Sequence, residues 1–75
     1  MSIEDLVRSV ISKKDPAGFY VIVADRNALP IVEKYAKDVQ VEEYGDSLVI
    51  RTKSRRVAEE LARRLARKNM LRFEL

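Results

Sequence analysis

At 75 residues the chain is long enough for one domain, and a domain this short buries only about 60–65% of the surface its unfolded form exposes. Nearly every apolar residue must therefore serve one core, or share it with another subunit. The chain has neither cysteine nor histidine, which excludes disulfides, thiolate metal sites, thiol nucleophiles and the usual general base. Carboxylate, lysine, tyrosine and serine side chains remain, with no second group to activate them. The composition thus predicts a non-enzymatic protein without cofactor or metal.

The net charge of +3 hides an asymmetry. Residues 1–50 carry six cations and nine acids, a net −3, whereas residues 51–75 carry nine cations and three acids, a net +6. A domain polarised in this way has a preferred side for polyanions. Acid in Met1–Asp5, where a secretory signal carries base, and the absence of a long apolar run predict a cytoplasmic protein. Charged residues at 36% of the chain, many in opposite-sign pairs, resemble thermophile composition.

In chain order, Ser2 with Asp5 three residues later forms a capping box. Ile3, Leu6, Val7, Val10 and Ile11 then make a helical stripe, predicting an amphipathic helix over 2–13 that ends before Pro16 and Gly18. Phe19–Ala24 is six consecutive apolar residues, aromatic and β-branched, too short for a buried helix. It reads as a strand covered on both faces, in the middle of a sheet. Asp25 and Asn27 are N-cap candidates, and Pro30 suits the first turn of a second helix. Ala28, Ile31, Val32, Tyr35 and Ala36 hold helical spacing to about Asp38.

Val39–Tyr44 and Ser47–Lys53 alternate around Gly45-Asp46, which suits a two-residue type II′ turn. That turn fixes a register in which paired residue numbers sum to 91, so Gln40 faces Arg51, Val41 faces Ile50 and Tyr44 faces Ser47. Ser54 caps a third helix with Val57, Ala58, Leu61, Ala62, Leu65 and Ala66 as its buried stripe, ending near Asn69. Leu71–Leu75 alternates as a final, edge strand.

The predicted fold is α+β: a ferredoxin-like βαββαβ sandwich over 18–75, with a four-stranded antiparallel sheet and two helices on one face, preceded by the helix over 2–13. Right-handed crossovers put the first and third strands in the centre. The outward half of the first strand is read as Tyr20, Ile22 and Ala24 rather than Phe19, Val21 and Val23. An apolar centre ringed by charge needs a cover. The N-terminal helix, a second subunit or single-stranded nucleic acid stacking on Tyr20 would each provide one. The topology resembles that of RNA-recognition motifs, which place aromatics on the two central strands. Only Tyr20 corresponds, since Asp46–Lys53 holds no aromatic and no Gly-Phe pattern. Acylphosphatases are similar in topology too, but their glycine-rich anion loop has no counterpart.

The sharpest local signal is Arg51-Thr52-Lys53-Ser54-Arg55-Arg56. Arg55 and Arg56 sit in a first helical turn, where the macrodipole disfavours cations, and unpaired N–H groups, a hydroxyl and several cations together suit a phosphate. The spacings 55/59, 56/60, 59/63 and 60/64 are also those of ordinary surface pairs. Two acids nevertheless face eight cations between Arg51 and Lys68. The expected function is nucleic-acid binding, DNA or RNA with single strands slightly favoured and little sequence preference. Arg51, Lys53, Arg55 and Arg56 would hold phosphates, Arg63, Arg64 and Arg67 would extend the track, and Tyr20 would stack. Self-association into a homodimer or larger assembly is expected as well. The alternative is an assembly module whose basic helix meets an acidic protein.

Overall fold

The structure, a computed structural model, describes residues 2–72. Its first helix, α1 (Ile3–Ile11), starts at the predicted capping box: the Ser2 hydroxyl accepts from the Asp5 N–H at 3.2 Å and the Asp5 carboxylate accepts from the Ser2 N–H at 3.4 Å. Asp15 then shapes the turn that follows, accepting from the Ala17 and Phe19 N–H groups at 3.0 and 2.8 Å. Gly18, at φ +89°, takes the backbone conformation that side chains resist. Strand β1 (Tyr20–Asp25) follows.

The second helix is shorter than its spacing suggests. Asp25 caps a 3-10 turn at Arg26–Ala28, and α2 covers only Leu29–Glu33, with Pro30 in its first turn. Beyond it, the N–H groups of Lys34, Tyr35, Ala36 and Asp38 each bond the carbonyl three residues back. The chain has therefore tightened into 3-10 geometry. Apolar spacing near 3.6 does not distinguish this from an α-helix over so few residues.

Strands β2 (Gln40–Tyr44) and β3 (Ser47–Thr52) pair antiparallel in the predicted register, Gln40 opposite Arg51 through Tyr44 opposite Ser47. Gly45 has φ +57° and Asp46 is not left-handed, as a type II′ turn requires. Nothing lies within 4 Å of a Cβ built there, so the cost of a side chain is conformational. Gly45→Val should lower unfolding free energy by about 1–2 kcal/mol. A urea melt in which the variant matches the wild type would mean the turn is not of this type.

Helix α3 (Arg55–Arg67) is capped by the Ser54 hydroxyl, which accepts from the Val57 N–H at 3.2 Å. It ends where Asn69 predicts, at φ +58°, with Met70 N–H bonded to the Leu65 carbonyl and Asn69 N–H to that of Ala66. That is a Schellman motif with asparagine in the left-handed position. Strand β4 is Leu71–Arg72; the remainder of the predicted edge strand lies outside the described residues.

The architecture is α+β, a four-stranded antiparallel sheet in the order β2-β3-β1-β4 with three helices. Tyr20, Ile22 and Ala24 of β1 stand opposite Thr52, Ile50 and Leu48 of β3. Five of these six belong to one buried cluster with Ala28, Val32, Ala58, Leu61 and Leu65, against which Leu6, Val10 and Ile11 of α1 also pack. Side chains from all three helices thus meet the same side of the sheet. Of the three covers open to the other sheet face, the N-terminal helix is not the one, because α1 packs against α3 in the helix layer. One expectation is thereby corrected: Tyr20, Ile22 and Ala24 point inward. The reason is the β1–β3 register: Leu48 and Ile50 are inward by the hairpin alternation, and their direct partners must share their side. No helix among the described residues is long and apolar enough to cross a membrane.

Candidate functional site

Thr52 is the one buried polar residue among those described, 1% exposed. Its hydroxyl donates to the Asp38 carbonyl at 2.7 Å and accepts from the Ser54 N–H at 3.1 Å. It thereby locks the end of β3, the start of α3 and the turn after α2 to each other. The basic segment leaves this anchor in two directions, back along β3 and forward along α3.

The eight candidate residues do not form one surface. Tyr20 is 5% exposed within the core and presents no free ring face for a base; the sequence expectation of stacking there is corrected. Arg51 lies on the outer sheet face, held by Glu42. Lys53 sits at the end of that face, its ammonium 5.0 Å from the centre of the Phe19 ring. Arg55 and Arg56 occupy the start of α3, each 3.2 Å from the carboxylate one turn on, Glu59 and Glu60. The Ser54 hydroxyl is engaged in its cap, so it is not free for a phosphate.

Only the second half of α3 gathers cations. Arg63, Arg64 and Arg67, with Glu60, line a shallow depression of about 250 Å3. The helix spacing explains this: residues three and four apart share a face, and with Val57, Ala58, Leu61, Ala62 and Leu65 buried the arginines are left on the solvent side. Arg64 lies over Tyr35, 5.7 Å from the ring centre. Arg63 is engaged from an unexpected direction, donating from two guanidinium nitrogens to both carboxylate oxygens of Glu4 on α1, at 2.8 and 3.0 Å.

Between Arg51 and Lys68, eight cations thus meet four carboxylates: Glu59 and Glu60 from within, Glu42 and Glu4 from elsewhere. Among the described residues, Lys53, Arg64, Arg67 and Lys68 have no carboxylate within 4.0 Å. Sequence reasoning missed Glu4, which lies 59 positions from its partner. Only the packing of α1 beside α3 brings the two together.

The pKa shifts in the molecule move groups away from neutrality. The Arg63 hydrogen bond holds Glu4 below the ordinary glutamate value and raises Arg63 in return. The Tyr44 hydroxyl and then Arg51 lower Glu42, and that bond raises Tyr44. An acid–base catalyst at pH 7 needs the opposite. A lowered carboxylate adds stability above the unfolded glutamate value, and that contribution is lost as pH falls through it and toward the folded value. The wild-type melting temperature should therefore drop between about pH 5 and pH 3, and Glu4→Gln should flatten part of that drop. Parallel curves for the two proteins would mean that the Glu4–Arg63 pair does not persist in solution.

No protein-family model matches the chain, and no curated protein or solved structure matches it.

Proposed function

We propose that this is a small, non-enzymatic nucleic-acid-binding protein whose phosphate contacts come chiefly from the second half of α3. The observation that supports the reading is the depression bounded by Arg63, Arg64 and Arg67, with Lys68 one position beyond and three of these four cations unmatched by acid among the described residues. The helix spans 13 residues, about 19 Å at 1.5 Å per residue, enough for several successive phosphates. Arg55 and Arg56, already paired, take a secondary part, and Lys53 and Arg51 a peripheral one. Nothing in this row is arranged to read base edges, so affinity is electrostatic and sequence preference small. Single strands are favoured slightly over duplexes.

The reading includes a ferredoxin-like core extended by α1. It is supported by the element order and by β1 and β3 lying in the centre of the sheet. A cytoplasmic location belongs to the same reading.

The test is an anisotropy titration with labelled single- and double-stranded DNA and RNA at about 50 and 200 mM salt. Four to five phosphate contacts on a single strand give a log–log salt slope of roughly −3. If no oligonucleotide binds at the lower salt, the reading fails and an acidic protein becomes the partner to seek.

A further inference from the structure

Two of the three tyrosines are already engaged. Tyr20 is buried within the core, and the Tyr44 hydroxyl bonds Glu42 on the outer sheet face. The third, Tyr35, stands where the turn after α2 comes up against α3. Its ring packs on the core cluster from outside and stays partly exposed. Arg64 lies over that ring and also lines the α3 depression with Arg63 and Arg67. The two adjacent arginines thus turn to different neighbours, Arg63 to Glu4 of α1 and Arg64 to Tyr35. The Arg64–Tyr35 pair is a loose one. Flat groups in contact sit about 3.5 Å apart, whereas the guanidinium carbon is 5.7 Å from the ring centre. Arg64 is exposed and has no carboxylate within 4.0 Å among the described residues. It can swing from the ring to a ligand by giving up one weak cation–π contact, while the ring stays seated on the core.

We infer that Tyr35 is a stacking platform for one unpaired base, with Arg64 taking the phosphate beside it. The inference rests on the reading of α3 as a phosphate track and gives that track a ligand class, a nucleic-acid single strand. A duplex keeps its bases stacked inside and cannot present one to the ring. Carboxylates of an acidic protein would meet the arginines and gain nothing from Tyr35. Stacking on an aromatic side chain tolerates every base, because each has a π-face, which agrees with a row that reads no base edges. The charged residues around Tyr35 in the chain, Glu33, Lys34, Lys37 and Asp38, sum to zero. The turn itself therefore neither draws in nor repels a polyanion, and the strand is held there by α3 on one side and by stacking on the other.

The experiment titrates the full chain at about 50 mM salt with two labelled strands of equal length. One is oligothymidylate, and the other carries the same phosphates on abasic sugars. The wild type should bind the base-bearing strand about fivefold tighter or more, the lower end for one stacked base. The Tyr35 ring proton resonances should shift when that strand is added. Tyr35→Leu keeps apolar bulk against the core and removes the ring. It should bring the two affinities within about twofold of each other and leave the salt slope unaltered, because the slope counts phosphate contacts. Equal wild-type affinities for the two strands overturn the platform and leave the α3 track standing, whereas binding of neither strand overturns both. A folded Tyr35→Leu that keeps the full preference for bases overturns the platform, as does one that loses both strands alike. Should that variant not fold, the wild-type strands and the ring resonances decide, and a Tyr35 ring that ignores the base-bearing strand overturns the inference.

Discussion

Replacing Arg64 and Arg67 together by glutamine should weaken oligonucleotide binding at least tenfold, about 1.4 kcal/mol, and flatten the single-strand salt slope by about 1.4 units. Both residues are solvent-exposed and line the α3 depression, and neither has a carboxylate partner among the described residues. Their removal takes contacts from the ligand without leaving a buried charge. Glutamine is a good helix former, so the cost to folding is limited to the favourable macrodipole interaction of cations near a helix C-terminus, a few tenths of a kcal/mol each, and to the Arg64–Tyr35 contact, about 0.5–1 kcal/mol. The matched control is Arg55→Gln with Arg56→Gln, which changes net charge equally. Those arginines already hold Glu59 and Glu60, so the control should weaken binding by less than about threefold, under 1 kcal/mol. Equal losses in the two double variants would reduce the effect to net charge and remove the site.

Glu4→Gln supplies a converse test of the same row. Its carboxylate takes both forks of Arg63, in the bidentate geometry by which arginine also holds phosphate. Neutralising Glu4 should therefore tighten oligonucleotide binding more than Glu33→Gln, an exposed acid on α2 outside the ion pairs found here.

The parts of this fold legible in the sequence are those where two local signals agree. The β2–β3 register followed from turn chemistry and alternation together. Both ends of α3 followed from a serine cap, an apolar stripe and an asparagine able to take positive φ. The direction of β1 was not legible, because Phe19–Ala24 is apolar at every position and gives no alternation. Its orientation is set by pairing with β3, a contact between residues some thirty positions apart, and a shift of one residue would reverse it. The place of α1 was hidden for a related reason. A helical stripe such as Leu6, Val7 and Val10 demands a partner but does not say which surface supplies it. The basic row was legible as composition, but its division into matched and open cations depended on Glu4 and Glu42, which only the tertiary structure brings into contact with Arg63 and Arg51.

Tyr20 is where these two kinds of information conflict most directly, and its replacement separates them. On an open sheet face, Tyr20→Ala would leave folding nearly intact and remove a stacking platform. In the structure the ring is 5% exposed and belongs to the cluster that includes Ile22, Leu61 and Leu65. Truncation should therefore cost about 3–5 kcal/mol, as for other buried aromatics. A domain of this length has a total stability of only about 4–11 kcal/mol, so Tyr20→Ala should remove at least about a quarter of it, with a plainly lowered urea midpoint. Tyr20→Phe keeps the ring in place. Among the described residues no group bonds the Tyr20 hydroxyl and it is not a fully buried orphan, so its loss leaves no partner stranded and should cost no more than about 1 kcal/mol. The phenylalanine variant should also bind oligonucleotide as tightly as the wild type, because the proposed phosphate contacts lie on α3, on the far side of the helix layer. Denaturant melts of the two variants with the titration repeated on Tyr20→Phe decide the matter. A Tyr20→Ala protein that melts like the wild type but loses nucleic-acid affinity would put Tyr20 on the outer face and reverse the sheet.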